Sequence, residues 1–291
     1  MNGRIALVSS ERGLRVDPDL PIARRALGEA GFVVDLVRWD DAQADWASYD
    51  LAVIRSCWDY AWRLEEFLTW AADFPDGAIR LRNPVEVLRW NTDKAYLREL
   101  ERAGLPVVPT VWAPTRADQL THAAEWVVKP SISAGSRDTA RWADPRDVLA
   151  HVADLGAAGR TAMVQPYLTS VDDVGETAML FIGGAFSHAA RKGPLLERGE
   201  GVRSDRDSRG DLRPAVPTAA QRDVAQAVFD AIPGLVGVDT APLYARIDLI
   251  RDDEGEEVLL ELELTEPSLF LPQAPGAAAA LARAIEAELS R

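Results

Sequence analysis

The segment 244–264 constrains the fold of this chain more than any other. Two runs in it alternate apolar and charged residues, and an acidic, glycine-containing stretch separates them. Because strand side chains point alternately to two faces, this pattern predicts an antiparallel hairpin with one apolar and one charged face. A turn centred on Glu254 and Gly255, of two or four residues, pairs residues whose numbers sum to 509, so Asp248 lies opposite Glu261.

The charged face of this predicted hairpin carries three carboxylates and one guanidinium. Arg246 and Glu263 join Asp248 and Glu261 on it. Like charges placed opposite each other destabilise a sheet, so a cation is needed between them. Hard divalent cations with oxygen ligands are the natural candidates. The alternative is a solvated polar face in which one acid pairs with Arg246.

A second hairpin is predicted between Val174 and Lys192, with its turn at Gly183–Gly184. A turn centred there pairs residues whose numbers sum to 367. We therefore expect Glu176 to lie opposite Arg191 and Lys192 to point to the other face.

The first 82 residues alternate strand-like and helix-like segments, which predicts an open parallel α/β sheet. Ligands of such sheets bind beyond the carboxyl ends of the strands. The loop that follows the third strand offers Arg55 for a carboxylate, Asp59 for an ammonium group, and Trp58 and Tyr60 as walls of a substrate pocket. The alternative is a loop whose aromatic residues simply pack.

Composition narrows the class of protein. The chain has 291 residues, of which 47% are hydrophobic and 27% charged, as in an ordinary globular protein. This length is too great for one small core, so three units are expected, at 1–82, 83–160 and 161–291. A net charge of −14 disfavours nucleic acid as a partner. Cys57 is the only cysteine, which excludes disulfides and cysteine-based zinc sites. No signal peptide or membrane-spanning run is recognisable, so we expect a cytoplasmic enzyme, and a homo-oligomer is compatible with the sequence.

Several motifs follow one another in an order that is more specific than any of them alone. Lys94 near the start of a helix is followed by Gly-Leu-Pro-Val-Val-Pro, then by Val-Val-Lys-Pro around Lys129 and a loop of small residues. Val-Gln-Pro-Tyr-Leu at 164–168, a Gly-Glu hairpin and the carboxylate hairpin complete the series. In this order the chain resembles the ATP-grasp ligases of the glutathione synthetase-like branch. The resemblance implies an α/β fold, α+β in the C-terminal half, in which two subdomains clasp ATP beside an N-terminal α/β domain.

The resemblance also implies site residues. Those expected to bind ATP are Lys94, Lys129 and Ser136 near the phosphates, Gln165 and Tyr167 near adenine, and Asp173 and Glu176 near the adenosine end. Those expected to act on the transferred phosphate and the acceptor are Arg246 and Arg191, with Glu266 and Ser268 in the acceptor site. Asp248, Glu261 and Glu263 match the ligands of magnesium, with two ions expected and manganese as an alternative.

Two features refine the resemblance. The family usually has Asn where this chain has Glu263, which leaves the number of metal ions open. The Arg-Ser-Cys-Trp-Asp-Tyr loop and the Glu-Leu-Thr-Glu-Pro-Ser-Leu segment resemble the O-ureidoserine cyclo-ligases of cycloserine biosynthesis. The implied reaction activates the carboxylate of a small amino acid as an acylphosphate and forms a C–N bond, within one molecule or with a second one; a non-catalytic ATP sensor is the alternative. Loop 194–213 is expected to be a mobile lid or a solvated insertion.

Overall fold

The computed structural model describes residues 3–74, 80–203 and 211–290. Its first part is a parallel sheet flanked by helices. The strands are β1 (Arg4–Ser9), β2 (Val33–Arg38), β3 (Leu51–Ile54) and β4 (Arg80–Arg82), and the helices are α1 (Glu11–Val16), α2 (Asp19–Glu29) and α3 (Leu64–Ala72). The strand order is β2-β1-β3-β4, all parallel, which confirms the predicted open α/β sheet.

The loops after β1 and β3 touch each other at the carboxyl edge of this sheet. The hydroxyl oxygens of Ser9 and Ser56 are 2.7 Å apart, and Ser10 donates to the Ser56 carbonyl at 2.8 Å. Gly13 permits this approach, because a Cβ there would lie 2.3 Å from the Ser56 carbonyl oxygen. Strand β2 is added on one side of β1 and β3 on the other, so the strand order changes direction between β1 and β3. Ligands of open α/β sheets bind at this position.

The central part is a second, antiparallel sheet with one covering helix. It contains α4 (Val85–Asn91), α5 (Tyr96–Arg102), β5 (Val111–Trp112), β6 (Trp126–Pro130), β7 (Ala140–Trp142), α6 (Pro145–Ala157) and β8 (Ala162–Pro166). The strand order is β5-β8-β6-β7. Strand β8 pairs with β6 although it lies beyond residue 160, where the predicted central unit ends.

Lys94, which the sequence places near the start of a helix, lies in the connection between two helices. Helix α4 ends at Asn91 and α5 begins at Tyr96. Asn91 is the last residue of α4, and its side chain does not cap a helix. Its side chain instead donates to the Leu262 carbonyl at 2.8 Å and accepts from the Leu264 amide at 2.7 Å. These hydrogen bonds hold the end of α4 against the end of β13.

The C-terminal part is an antiparallel sheet with the carboxylate hairpin at its edge. It contains α7 (Ser170–Asp173), β9 (Glu176–Ile182), β10 (Ala185–Lys192), β11 (Leu212–Ala215), α8 (Ala219–Val236), β12 (Tyr244–Arg251), β13 (Glu257–Glu263) and α9 (Ala277–Leu289). The strand order is β11-β10-β9-β12-β13. The apolar face packs against α8, where the rings of Phe181 and Phe229 stack at 4.5 Å. The opposite face, which carries the charges, is therefore turned towards the rest of the protein.

The last helix joins the first and third parts. Leu281 and Ile285 of α9 are buried in one cluster with Ile5 and Leu7 of β1 and with Leu180 of β9. No helix in the described part of the chain is long and apolar enough to cross a membrane.

Candidate active site

A cavity of about 300 Å³ lies where the three parts of the molecule meet. Its walls come from the loop after β3, from the second sheet and from the charged face of the third sheet. Apolar side chains form one end of it, and the charged residues form the middle. The predicted site residues that line it are Trp58, Tyr60, Lys94, Lys129, Ser136, Gln165, Tyr167, Glu176, Arg246, Glu261, Glu263, Glu266 and Ser268.

The carboxylate hairpin has the predicted pairing at the site. Arg246 pairs with Glu263 and Asp248 with Glu261. The turn is not of two or four residues, because Arg251 pairs with Glu257 and five residues connect them. An irregularity after Asp248 shifts the register by one residue and restores the predicted pairs. One oxygen from each of Asp248, Glu261 and Glu263 lies within 4.8 Å of the others, close enough for one cation to bind all three.

Basic side chains compensate each of these carboxylates in the structure. Arg246 donates to Asp248 at 3.0 Å and also contacts Glu263. Lys192 Nζ lies 2.7 Å from Asp248. The hairpin face is therefore a buried ion-pair network, not the solvated polar surface of the alternative interpretation, because Asp248 is fully buried and Arg246 is 7% exposed.

The network shifts the pKa values of the carboxyl groups in opposite directions. Burial alone would raise the pKa of Glu261, but Lys94 and Lys129 lower it to about 2. Burial raises the pKa of Glu263 to about 7, against the opposing charge of Arg246. Glu261 is therefore ionised at neutral pH, whereas Glu263 titrates close to neutrality.

The predicted pairing of the second hairpin is wrong, and the error exchanges two basic residues. A bulge between Phe186 and His188 adds one residue to β10, so Glu176 lies opposite Lys192. Lys192 Nζ is 2.6 Å from Glu176, and Lys192 lines the cavity. Arg191 points away from it and donates to the Val174 carbonyl at 3.0 Å. Lys192, and not Arg191, is the second basic residue of this site.

A glycine fixes the approach of Glu176 to Lys192. Gly175 has φ +77°, and a Cβ there would lie 2.3 Å from the Lys192 carbonyl oxygen. No other residue type fits this combination of backbone angle and contact. The Gly-Glu pair in the sequence thus reflects a steric requirement of the hairpin.

Two lysines reach the middle of the cavity from the central part. Lys94 Nζ donates to the Ser133 carbonyl at 2.9 Å and lies 3.2 Å from Glu261. Lys129 Nζ makes no hydrogen bond or ion pair with any residue that the structure describes, and burial lowers its pKa. Ser136, with φ 58°, belongs to the small-residue loop beside them. An unpaired, half-buried ammonium group next to such a loop is suited to an anionic ligand.

The apolar end of the cavity contains the predicted adenine residues. The Gln165 amide nitrogen donates to Thr110 at 2.9 Å, while its buried Oε1 has no partner among the described residues. The Tyr167 ring lies under the Arg141 guanidinium, 3.4 Å from its centroid. Asp173 is exposed and does not line the cavity, so its predicted contact with adenosine is not supported by its position.

Two predicted substrate residues also lie outside the cavity. Arg55 is 1% exposed and donates to the Pro267 carbonyl at 2.6 Å. Asp59 accepts from Trp39 at 2.9 Å and from Arg63 at 3.2 Å. Both residues are close to Trp58 in the sequence, which had indicated a common pocket. The chain forms a 3₁₀ turn from Trp58 to Trp62, so neighbouring side chains point in different directions.

One buried asparagine, Asn83, belongs to the surroundings of the site. Asn83 donates to the Tyr244 and Leu264 carbonyls at 3.0 and 2.7 Å, and so joins the ends of β12 and β13. Asn-Pro at this point reads as a turn, and no sequence signal reveals its partners.

Of the predicted loop 194–213, residues 204–210 lie outside the described part, and Leu195, Leu196 and Leu212 line the cavity.

Comparison with known proteins agrees with this arrangement. A family model for the N-terminal domain of D-cycloserine synthetase DcsG matches residues 5–83. The cycloserine biosynthesis protein DcsG of Streptomyces lavendulae is 34% identical over 308 residues, which cover 99% of this chain and 99% of that protein. A crystal structure of D-cycloserine synthetase DcsG superimposes with a TM-score of 0.90 at 32% identity and covers 99% of this chain and 100% of that one.

More distant structures share the fold. The ATP-grasp ligase PsnB, bound to its minimal precursor, Mg and ADP, has a TM-score of 0.64 at 18% identity and covers 99% of this chain and 98% of that one. The D-alanine–D-alanine ligase of Bacillus anthracis, bound to ATP, has a TM-score of 0.63 at 13% identity, with the same coverage. The predicted ATP-grasp architecture is confirmed. The chain belongs to the DcsG family of ATP-grasp ligases and is an ATP-dependent enzyme that forms carbon–nitrogen bonds.

Proposed function

We propose that this protein transfers the γ-phosphoryl group of ATP to the carboxylate of a small amino acid and that a nitrogen nucleophile then displaces phosphate from the acylphosphate. The observation that carries the proposal is the placement of the unpaired Lys129 beside three carboxylate oxygens that lie within 4.8 Å of one another. The ammonium group of Lys129 suits phosphate, and the three carboxylates suit the cations that accompany phosphate.

The proposed orientation of ATP follows from the two ends of the cavity. Val108, Tyr167 and Ile250 belong to an apolar cluster that lines its outer end, which suits the faces of adenine. The buried Gln165 Oε1 can accept a hydrogen bond from the amino group of adenine, which would satisfy that otherwise unpaired oxygen. Lys129 then lies at the phosphates, together with Lys94 and the amides near Ser136.

Asp248, Glu261 and Glu263 would hold divalent cations. They are carboxylates, which Mg²⁺ prefers, and Mn²⁺ is an alternative; two ions are proposed. Held by these carboxylates, a divalent cation would supply positive charge beside the phosphates. Lys192 and Arg246, which now pair with the carboxylates, would become available to the phosphates when a cation takes their place.

The protein's own part in catalysis is positioning and charge compensation. Arg246 and Lys192 lie on the same face as the proposed metal ligands, where they can stabilise the transferred phosphoryl group and the tetrahedral intermediate. The surrounding apolar walls exclude water, which would otherwise hydrolyse the acylphosphate.

The nucleophile is proposed to belong to the same molecule as the carboxylate. The relatives named above are a cycloserine biosynthesis protein and a D-cycloserine synthetase. In O-ureidoserine, attack of the oxygen-bound nitrogen on the activated carboxyl carbon closes a five-membered ring, and this nitrogen loses its proton as phosphate leaves. The amino-acid substrate is thus proposed to be O-ureidoserine or a closely related O-substituted serine.

The test is a screen for ADP release over O-ureidoserine of both configurations, serine and pairs of amino acids, with mass spectrometry of the products. Asp248→Asn is the matched control for contaminating ATPases. A cyclic product from one substrate supports the proposal. A linear product from two amino acids would replace it by an intermolecular ligase, and ATP binding without ADP release under any condition would replace it by an ATP sensor.

A further inference from the structure

Glu266 is the one acid of the cavity wall that the described part of the chain leaves without a partner. It is 7% exposed, and its carboxylate makes no hydrogen bond or ion pair with any described residue. The other acids of the wall are each paired with a cation of the protein: Glu176 with Lys192, Glu261 with Lys94 and Glu263 with Arg246. Because buried carboxylates are rarely left unpaired, Glu266 is suited to a cation that comes with a ligand.

The backbone around Glu266 is held rigidly by the N-terminal part of the protein. Trp58 Nε1 donates to the Glu266 carbonyl at 3.2 Å, and Arg55 donates to the Pro267 carbonyl at 2.6 Å. Asp19 accepts from the amide of Leu269 at 2.6 Å. Contacts from α2 and from the loop after β3 therefore hold the backbone from which the Glu266 side chain projects, which favours a prepared binding group.

The surroundings favour an organic ammonium ion over a metal ion. Glu266 is not part of the group of oxygens that lie within 4.8 Å of one another. The rings of Trp58 and Tyr60 line the same cavity, and aromatic faces attract ammonium groups. Burial, with the nearby Glu263, raises the pKa of Glu266, and a cation bound beside it would favour the ionised form.

We propose that Glu266 is the receptor for the α-ammonium group of the substrate and that the enzyme therefore selects α-amino acids with a free, protonated amine. This inference rests on the proposed function and names the substrate class of the same cavity. The carboxylate of such a substrate lies one carbon from the ammonium group and would face Arg246, on the side of Glu263.

The test measures binding separately from turnover. Isothermal titration calorimetry, with a non-hydrolysable ATP analogue and magnesium present, compares O-ureidoserine with 3-(ureidooxy)propanoate, which lacks only the α-amine. Loss of one partner of a buried charge pair is expected to weaken binding by about 100-fold, so wild type should discriminate by that factor. In Glu266→Gln the Kd of O-ureidoserine should rise by about 100-fold while that of the analogue stays constant. Exposed Glu65→Gln, a matched control on α3, should behave as wild type.

The outcomes separate this inference from the proposed function. Equal affinity of wild type for the two compounds, or equal losses for both in Glu266→Gln, would overturn the role of Glu266 even if ADP is released. Discrimination by the α-amine without any release of ADP would retain the ammonium site and reject the ligase proposal. If Glu266→Gln does not fold, the comparison of the two compounds with wild type still decides the matter.

Discussion

At the scale of single residues, Asp248 and Glu261 have two functions that mutation can separate. Each is a proposed metal ligand, and each also compensates buried cations. Asp248→Asn should reduce ADP release by about 10³-fold, since charge compensation at the phosphates is lost. It should also lower the free energy of unfolding by about 3 kcal/mol, because Lys192 and Arg246 each lose a buried partner.

Glu261→Gln should be equally inactive but more stable than Asp248→Asn. Its partner Lys94 keeps the hydrogen bond to the Ser133 carbonyl at 2.9 Å, so less buried charge is left uncompensated. ADP release across a magnesium titration and urea denaturation of the metal-free proteins measure the two effects. Normal turnover of both variants at low magnesium would show that the hairpin binds no catalytic metal and would remove the main support of the proposed function.

If Glu263 is a metal ligand, as proposed, we expect the magnesium requirement to depend on pH. Its pKa is raised to about 7, so it is largely protonated below that value, and a metal ion must displace the proton. The apparent affinity for magnesium should therefore rise as the pH increases through about 7 in wild type, and this slope should be absent in Glu263→Asn. The stability of the metal-free protein should depend on pH in the opposite direction. The raised pKa of Glu263 contributes stability at low pH, and this stability is lost as the pH rises through about 7.

Glu263→Asn should keep partial activity, because it restores the residue usual in the wider family, with a changed preference between magnesium and manganese. Magnesium titrations at several pH values, with wild type and the variant side by side, measure both effects. An equally steep pH dependence in the variant would assign the slope to another group.

At the scale of elements, one bulge decides which of two neighbouring basic residues belongs to the site. Lys192 lies on the charged face of β10 and pairs with Glu176 and Asp248, whereas Arg191 lies on the other face. Lys192→Gln should reduce ADP release by about 100-fold, and Arg191→Gln should stay within about twofold of wild type. ADP-release assays at saturating ATP measure the contrast; the reverse order of the two effects would restore the unbulged register.

The two hairpins show how far strand pairing can be predicted from the sequence. The sequence correctly predicted both hairpins, together with the β9–β10 pairs next to the turn and the β12–β13 pairs at the site. In the β12–β13 hairpin a five-residue turn and a later irregularity compensate each other, so the predicted metal ligands face each other. In the β9–β10 hairpin the bulge before His188 is uncompensated, so every pair beyond it is shifted. A bulge changes the register by one residue without changing the pattern of residue types on either side of it, so alternation alone does not reveal it.

The contact between β7 and α6 makes the stability of the central part depend on pH. Trp142 Nε1 donates to His151 Nδ1 at 3.1 Å, which requires a neutral imidazole, and burial lowers the pKa of His151. A lowered folded-state pKa contributes stability above the unfolded value of about 6.5, and this stability is lost as the pH falls. His151→Gln keeps an acceptor for Trp142 but does not titrate. The difference in free energy of unfolding between wild type and this variant, measured by urea denaturation, should decrease as the pH is lowered from about 6.5. A difference that stays constant with pH would contradict the role of His151.

At the scale of the whole molecule, the N-terminal part supports the acceptor side of the cavity more than it lines it. The sequence predicted its parallel sheet, because alternation of strands and helices is a local pattern. It did not predict that Asp19, Arg55 and Trp58 hydrogen-bond to backbone groups between residues 266 and 271. These contacts join residues more than 200 positions apart, so only the assembled fold reveals them.

Arg55 is the clearest test of this supporting role. Its guanidinium lies 4.9 Å above the Tyr244 ring and donates to the Pro267 carbonyl, but it does not line the cavity. Arg55→Met should lower the free energy of unfolding by about 2 kcal/mol, since a charge-assisted buried hydrogen bond is lost. It should also raise the KM for the amino acid by about tenfold and leave the KM for ATP unchanged, because the segment around Glu266 is no longer held in position. Arg55→Lys, which keeps the charge and one donor, should recover part of both effects. An increase in the amino-acid KM without any loss of stability in either variant would show that Arg55 binds the substrate directly.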